Sequence, residues 1–495
     1  MRAHFRAWIS GLPERHGRTT LIVLAVIVLL ALGLRVARAG DEIAAPGPDS
    51  EAYSALASNL YKTGDYGTPG MENESDWSPG AVLTYTAVYV VTGGVREEAA
   101  RYLVALVGAA LVLVAYALAR RLARAGGVDE RIAGLVAAGS VAIYPAFVYD
   151  AGRLMSEPFA ELALAGFVLS FLWASDPGRS PWAYLAPGAL LGLTALFRPE
   201  YLPFSILFGL LAGWWSYRAS SGNTAGGADD RAGGAAEGPD EPERAKSGGA
   251  AVTGPAGRFV GPLVVFLLAF ALVVVPWTIR NAIELDRFVP ISTGGGKALF
   301  IGTYLPGDGD HFGTKRALFY ASHPDSELTP DEVNLLPMQP ILNEVAAERP
   351  ELERDAALGA IGRENLEEAI AERPGDLLAM MGRKVWRMWR SGSGPGMDGV
   401  APEVLHAALC LAGVGGLVLL CLRRRREAVA IVLLVLGITA IGAVLLASTR
   451  RNLILMPIVI ALAGTAISWL VAALSSGRSW SPAPPSSSPR SSPPS

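Results

Sequence analysis

Leu21-Ile22-Val23-Leu24-Ala25-Val26-Ile27-Val28-Leu29-Leu30-Ala31-Leu32-Gly33-Leu34, followed shortly by Pro48-Asp49-Ser50-Glu51-Ala52-Tyr53, decides how this chain is read. The first run is apolar enough to cross a bilayer, and the second places acidic residues directly after the crossing. Working outward, the whole chain has the same character. Its 495 residues are 51% hydrophobic and its mean hydropathy is +0.35. The expected fold is therefore all-α and polytopic. Ten spans are predicted, at 19–38, 99–122, 131–149, 158–174, 183–197, 201–217, 258–278, 403–422, 428–446 and 452–474. Segment 81–92 is apolar but short, and reads as a half-helix or surface-lying element.

Net charge is only −3, so the overall balance says nothing about nucleic acid, and no nucleic-acid partner is expected of an exported segment; the charges are segregated, however. Basic clusters stand at Arg2, Arg6, Arg15 and Arg18, at Arg120, Arg121, Arg124 and Arg131, and at Arg423 to Arg426. Ten spans put all three on one side, cytoplasmic by the positive-inside rule, together with both termini. The N-terminus also has the look of a cleavable signal peptide, with Ala37-Arg38-Ala39 after its apolar core. Either way residue 41 onward begins outside.

The expected organisation follows. Residues 1–218 form an N-terminal membrane module whose first outer loop is 40–98. Residues 219–257, rich in Gly, Ala, Ser and acids, read as a disordered cytoplasmic linker. A span at 258–278 leads to an outer-face domain at 279–401, and spans within 402–475 lead to a disordered Ser/Pro-rich tail at 476–495. In the outer domain, Thr329-Pro330-Asp331-Glu332 is a capping box with proline at the first helical position, and 351–371 reads as an amphipathic helix. Cys410 and Cys421 share one apolar segment, show no metal spacing, and read as small core residues.

Ionisable groups at membrane boundaries need a reason to be there. Asp49, Glu157, Arg198, Glu200, Arg450 and Arg451 all fall at outer span ends, from four connections far apart in sequence. Asp49 is the candidate general base; alternatively it caps the helix running through Tyr53. Glu157 either projects into an outer cavity, with Ser156 capping its helix, or serves the helix dipole. Arg198 either binds phosphate or snorkels to head groups and pairs with Glu200. Arg450 or Arg451 suits a bound anion or head-group anchoring. Ser292-Thr293-Gly294-Gly295-Gly296-Lys297 lacks P-loop spacing, since Ala298 follows the lysine; a turn presenting amides to a ligand is the better account. Arg383-Lys384-Val385-Trp386-Arg387-Met388-Trp389-Arg390 suits a helix lying at the membrane interface.

At these residues the chain resembles the GT-C class of lipid-linked-sugar-dependent glycosyltransferases, and within it glycosyltransferase family 39, the protein O-mannosyltransferases and the aminoarabinose transferases acting on lipid A. Pro48 to Tyr53 resembles P-D-E-x-x-Y, and Thr63-Gly64-Asp65-Tyr66 matches T-G-D-[WY]. Gly192 to Glu200 is similar to G-L-x-x-L-x-R-P-E. Pro276-Trp277-Thr278-Ile279-Arg280-Asn281 with Ser292 to Gly296 is similar to P-W-x-x-R-N…S-T-x-G-G. The resemblance implies Asp49 as base, Glu157 as second acid and Arg450, or else Arg451, on the carrier phosphate. Tyr53, Arg198 and Glu200 join the donor site. Two departures stand out. The first loop ends Asp76-Trp77-Ser78-Pro79-Gly80, without the family's phosphate-contacting lysine, and R-Y-R-x-P is degraded to Arg450-Arg451-Asn452-Leu453-Ile454. The implied activity is inverting transfer of a hexose or pentose from a polyprenyl-phosphate carrier to a lipid, glycan or protein acceptor at the outer face of the cell membrane. No cofactor is required, though Asp49 and Glu157 leave room for a divalent cation. A transporter or flippase of lipid-linked sugars is the alternative; it predicts charges inside spans and repeated halves.

Overall fold

The computed structural model describes residues 17–41, 47–67, 76–229, 255–392, 394–446 and 448–476. Most of the expected linker and nearly all of the tail lie outside these residues, as do Arg2, Arg6 and Arg15. Among the described residues the regular structure is helical, with no strand.

Helix α1 (Arg18–Ala39) turns Ile22, Val26, Leu29 and Leu30 outward, as a lipid-facing helix does. Helix α2 (Pro48–Thr63) starts with proline in its first turn and stops at Gly64, whose φ of 83° ends the helix in the left-handed region. Helix α3 (Pro79–Thr92) is the short apolar element expected at 81–92. Helix α4 (Glu97–Gly126) is followed by α5 (Glu130–Ile143), which Asp129 caps by accepting from the Arg131 and Ile132 amides at 2.7 and 3.1 Å.

The expected span 131–149 is not one straight helix. It breaks at Tyr144 and resumes as α6 (Pro145–Tyr149), the parts bent by 53°. Proline disfavours helical geometry in the residue before it, and Tyr144 is extended, with φ −61° and ψ 120°. Pro145 also has no N–H for the Val141 carbonyl. Arg35 of α1, fully buried, fills that gap: it donates to Val141 O at 2.9 Å and Ala142 O at 3.0 Å. A buried arginine in a lipid-facing helix thus completes the backbone pairing that the proline removed.

Helices α7 (Glu157–Ala174), α8 (Leu185–Phe197), α9 (Phe204–Asp229) and α10 (Pro255–Glu284) follow. The span expected at 258–278 continues past Pro276 to Glu284. The expected outer domain is a set of shorter helices: α11 (Gly295–Thr303), α12 (His311–Ser322), α13 (Pro330–Leu335), α14 (Met338–Ala346), α15 (Arg354–Glu372) and α16 (Pro374–Arg390). Thr329 and Glu332 form the expected capping box. Helices α17 (Val400–Leu422), α18 (Arg426–Val444) and α19 (Arg450–Ser476) close the bundle.

Seven helices, α1, α4, α7, α10, α17, α18 and α19, are long and apolar enough to cross a membrane, and the bent pair makes eight. The chain is a multi-pass membrane protein. Helices α4, α7 and α19 form its centre, and α7 and α19 are the most buried spans. In lipid, close backbone approach replaces hydrophobic driving force between helices. Gly416 of α17 shows this: a Cβ there would lie 2.1 Å from Leu462 O of α19. Cys410 is partly buried beside His406, but Cys421 is exposed on the outside of α17, so it is not the core residue expected.

The basic clusters around Arg121 and Arg426 meet at one end of the bundle. Arg121 pairs with Asp176 at 2.7 Å and Glu427 at 3.0 Å, and Arg426 reaches the same Asp176 at 2.6 Å. Arg120 and Arg124 pair with Glu130. Because α7 runs from Glu157 to Ala174 just before Asp176, its acidic first turn stands at the opposite end.

Candidate active site

Four separate stretches deliver charge to that opposite end. Ser50 is buried and its hydroxyl accepts from the Leu154 amide at 2.8 Å, which seats the first turn of α2 on the chain leading into α7. Neighbouring Asp49 does not cap α2, since Gly47 is the capping residue and Asp49 lies within the first turn. Its carboxylate instead pairs with Arg450 at the start of α19. Arg450 also stands 3.6 Å from Glu157. Glu157 is 1% exposed and held by Arg198 as well, so it is locked between two guanidinium groups rather than projecting outward. Ser156 gives its helix no side-chain cap; its hydroxyl donates to the Glu157 carboxylate at 3.3 Å.

The pairing differs from the neighbour-to-neighbour pattern of the sequence. Arg198 serves Glu157, while Glu200 faces Arg451, 3.9 Å away. Arg451 also donates to the Leu446 carbonyl. The alternation Asp49–Arg450–Glu157–Arg198 lets each buried charge face an opposite one, the condition for keeping ions out of water. Arg450 retains 38% side-chain exposure, the most of the four. Among the described residues no group of three His, Cys, Asp or Glu side chains is placed to hold a metal, and both carboxylates are already met by arginine.

Tyr53 lies under this cluster, bonded to Ser156 and edge-on to Trp77 at 4.9 Å. Burial pushes its hydroxyl up to about 12, so it stays protonated and can act as a donor. Sequence reasoning missed two neighbours of the cluster. Asp150, buried in the bend region, pairs with Arg153 at 3.5 Å. Glu161, one turn into α7, is 2% exposed, and its Oε1 meets no hydrogen-bond donor among the described residues.

The remaining motifs build the frame. Tyr66 donates to Trp77 O at 2.7 Å and packs edge-on against Trp277 at 4.7 Å, and Arg280 lies over both rings. Asn281 donates to Val289 O and Ile291 O, fixing the turn out of α10. Asp76, in the 40–98 loop, accepts from Thr293 at 2.7 Å and Arg354 at 2.9 Å. The first loop is thereby fastened to the 279–401 segment. The glycine turn does not present amides to a ligand: Asp355 accepts from the Gly296 and Lys297 amides at 3.2 and 2.9 Å. A Cβ on Gly296 would sit 1.8 Å from Asp355 O, so glycine permits this contact. In the 383–390 stretch Trp386 is exposed, but Lys384 is fully buried and donates to Gly302 O and Val444 O at 2.8 and 3.1 Å. It is a structural residue rather than a head-group ligand.

In the 279–401 segment, His311 starts α12. Burial, then Lys315 and Lys297, hold its imidazole below the ordinary histidine value, while Asp310 and Asp49 act in the other direction. An apolar cavity of about 520 Å³ lies apart from all these charges, between the outer face of α3 (Leu83, Ala87, Val88, Val91) and Leu103 of α4.

No family model and no curated protein matches the sequence. Solved structures do resemble the fold. The oligosaccharyltransferase of Archaeoglobus fulgidus tethered to an acceptor peptide with the NVT sequon aligns at 15% identity and a TM-score of 0.51, over 93% of this chain and 50% of that one. The same enzyme with zinc and sulfate aligns at 15% identity and 0.50, over 91% and 49%. This chain therefore spans about half the length of that protein. ArnT of Cupriavidus metallidurans bound to undecaprenyl phosphate aligns at 14% identity over 92% and 78%, with a TM-score of only 0.36.

Proposed function

We propose that the chain is an inverting membrane glycosyltransferase that moves a sugar from a polyprenyl-phosphate carrier to an acceptor hydroxyl at the outer face of the membrane. The observation that carries this reading is the convergence of Asp49, Arg450, Glu157 and Arg198 at the end of the bundle opposite the basic clusters. The likeness in fold to an oligosaccharyltransferase supports it at the level of architecture.

In this mechanism the acceptor oxygen bonds to the anomeric carbon as the bond to the carrier phosphate oxygen breaks. Asp49 takes the acceptor proton. The phosphate leaves as an anion and needs no proton, so one carboxylate suffices, unlike glycoside hydrolysis. Arg450 stabilises the charge that develops on it. Because Arg450 also pairs with Asp49, an incoming phosphate competes for the guanidinium and frees the carboxylate for its task. Glu157, locked by two arginines, holds Arg450 in place and is a positioning residue. The donor arrives by lateral diffusion in the bilayer, and the apolar cavity along α3 suits part of an isoprenoid chain.

A flippase is favoured by one observation: Glu161 and Arg35 are charges inside spans. Arg35 is accounted for by the Pro145 break, which leaves Glu161. The deciding experiment measures radiolabelled sugar transfer from polyprenyl-phosphate donors in proteoliposomes. Asp49→Asn should lower transfer by about 100-fold or more while the protein stays folded. Undiminished transfer would remove Asp49 as base. Carrier movement between leaflets without transfer by the parent would establish the flippase.

A further inference from the structure

We propose that Lys297, on the first turn of α11, supplies the second cation of the carrier-phosphate site, facing Arg450 from the outer segment. This rests on the transferase reading and assigns a residue to the contact that the first loop, ending Asp76-Trp77-Ser78, does not provide.

Three observations place Lys297. The Ala298 carbonyl, next in the chain, accepts from the Leu446 amide at 2.9 Å, and Leu446 lies on the connection that leads directly into Arg450. The same connection is gripped a turn later. A Cβ on Gly302 would sit 2.4 Å from the Leu445 carbonyl carbon, so α11 and the end of α18 touch backbone to backbone. Asp355, by accepting from the Gly296 and Lys297 amides, fixes the turn from which the Lys297 side chain leaves. Third, the charges of Lys297 and Asp49 both act on the His311 imidazole, the lysine lowering and the acid raising its proton affinity.

The chemistry fits an anion. Lys297 is half-buried, and among the described residues no hydrogen bond or ion pair engages its ammonium. The arginines at the cluster are all committed to carboxylates: Arg198 to Glu157, Arg451 to Glu200, and Arg450 to Asp49 and Glu157. A phosphate monoester carries more charge than one shared guanidinium matches, and an uncommitted ammonium on a fixed turn is a compact partner for the rest.

The test measures binding of a sugar-free polyprenyl monophosphate to the full chain in nanodiscs, which needs no turnover. Lys297→Met should weaken binding about ten-fold, Lys297→Glu more, and Lys297→Arg should restore most of it. Lys297 is half-exposed, so these variants should keep the parent's melting behaviour, and Lys297→Arg controls for any that do not. If the parent binds and Lys297→Met and Lys297→Glu bind equally well, the assignment is overturned while the transferase reading stands. If the parent itself does not bind the carrier, the transferase reading falls and takes this assignment with it.

Discussion

Replacing Arg198 with methionine keeps a flexible unbranched stem but removes the guanidinium and its charge, leaving Glu157 buried at 1% exposure with only one cation. Removing one member of a buried ion pair typically destabilises by about 3–5 kcal/mol, because the other charge is left uncompensated. Here the loss should be smaller, about 2–3 kcal/mol, since Arg450 stays 3.6 Å from Glu157 and can swing toward it. That swing would draw Arg450 away from Asp49. Arg198→Met combined with Glu157→Gln removes both charges and should recover at least half of the loss. Equilibrium unfolding of the parent, both single variants and the double variant in mixed micelles gives the coupling, expected at about 1.5–2.5 kcal/mol. Effects that add to within about 0.5 kcal/mol would refute the reasoning. Glu157 would then be uncharged or satisfied by Arg450 alone.

Gly416→Val should destabilise the bundle by about 2–3 kcal/mol, since its Cβ position lies 2.1 Å from the Leu462 carbonyl; Gly415→Val, where the nearest atom is 3.7 Å away, should change little in the same unfolding assay. In the 279–401 segment, the Thr329 backbone and side chain hold Glu332 below its ordinary value of 4.5. A depressed carboxylate contributes stability above its unfolded value and loses it as pH falls through the folded one. Protection factors across α13, taken relative to the intrinsic exchange rate at each pH, should therefore fall as pH drops below about 4.5, and Glu332→Gln should remove most of that pH dependence.

Hydropathy made the spans legible because a bilayer demands uninterrupted apolar runs of fixed length, and the residues that share the site could be grouped because all stand at span ends. What could not be read was partnership. Arg198 has Glu200 two residues away, yet serves Glu157, because a three-residue turn at Pro199–Tyr201 separates the neighbours and packing brings α7 alongside α8. The glycine turn gave no hint that Asp355 would claim its amides, since that partner belongs to another helix. Arg35 directly follows the apolar run Leu21 to Leu34 and drew no reading of its own; only the break at Pro145 gives it carbonyls to bind. Ser156 had the sequence of a cap, but Glu157 beside it took its hydroxyl.

The break at Pro145 reaches further than its own helix. A straight α5 would carry the chain onward along the bundle axis. The bend turns it aside, so that the Leu154 amide arrives where Ser50 can accept from it. The acid at position 49 therefore takes its coordinates from a proline it never touches, with Arg35 as the peg that holds the kink. Changes around residue 145 would be felt as misalignment between Asp49 and Arg450 with every charged side chain still present, a defect of aim rather than of chemistry.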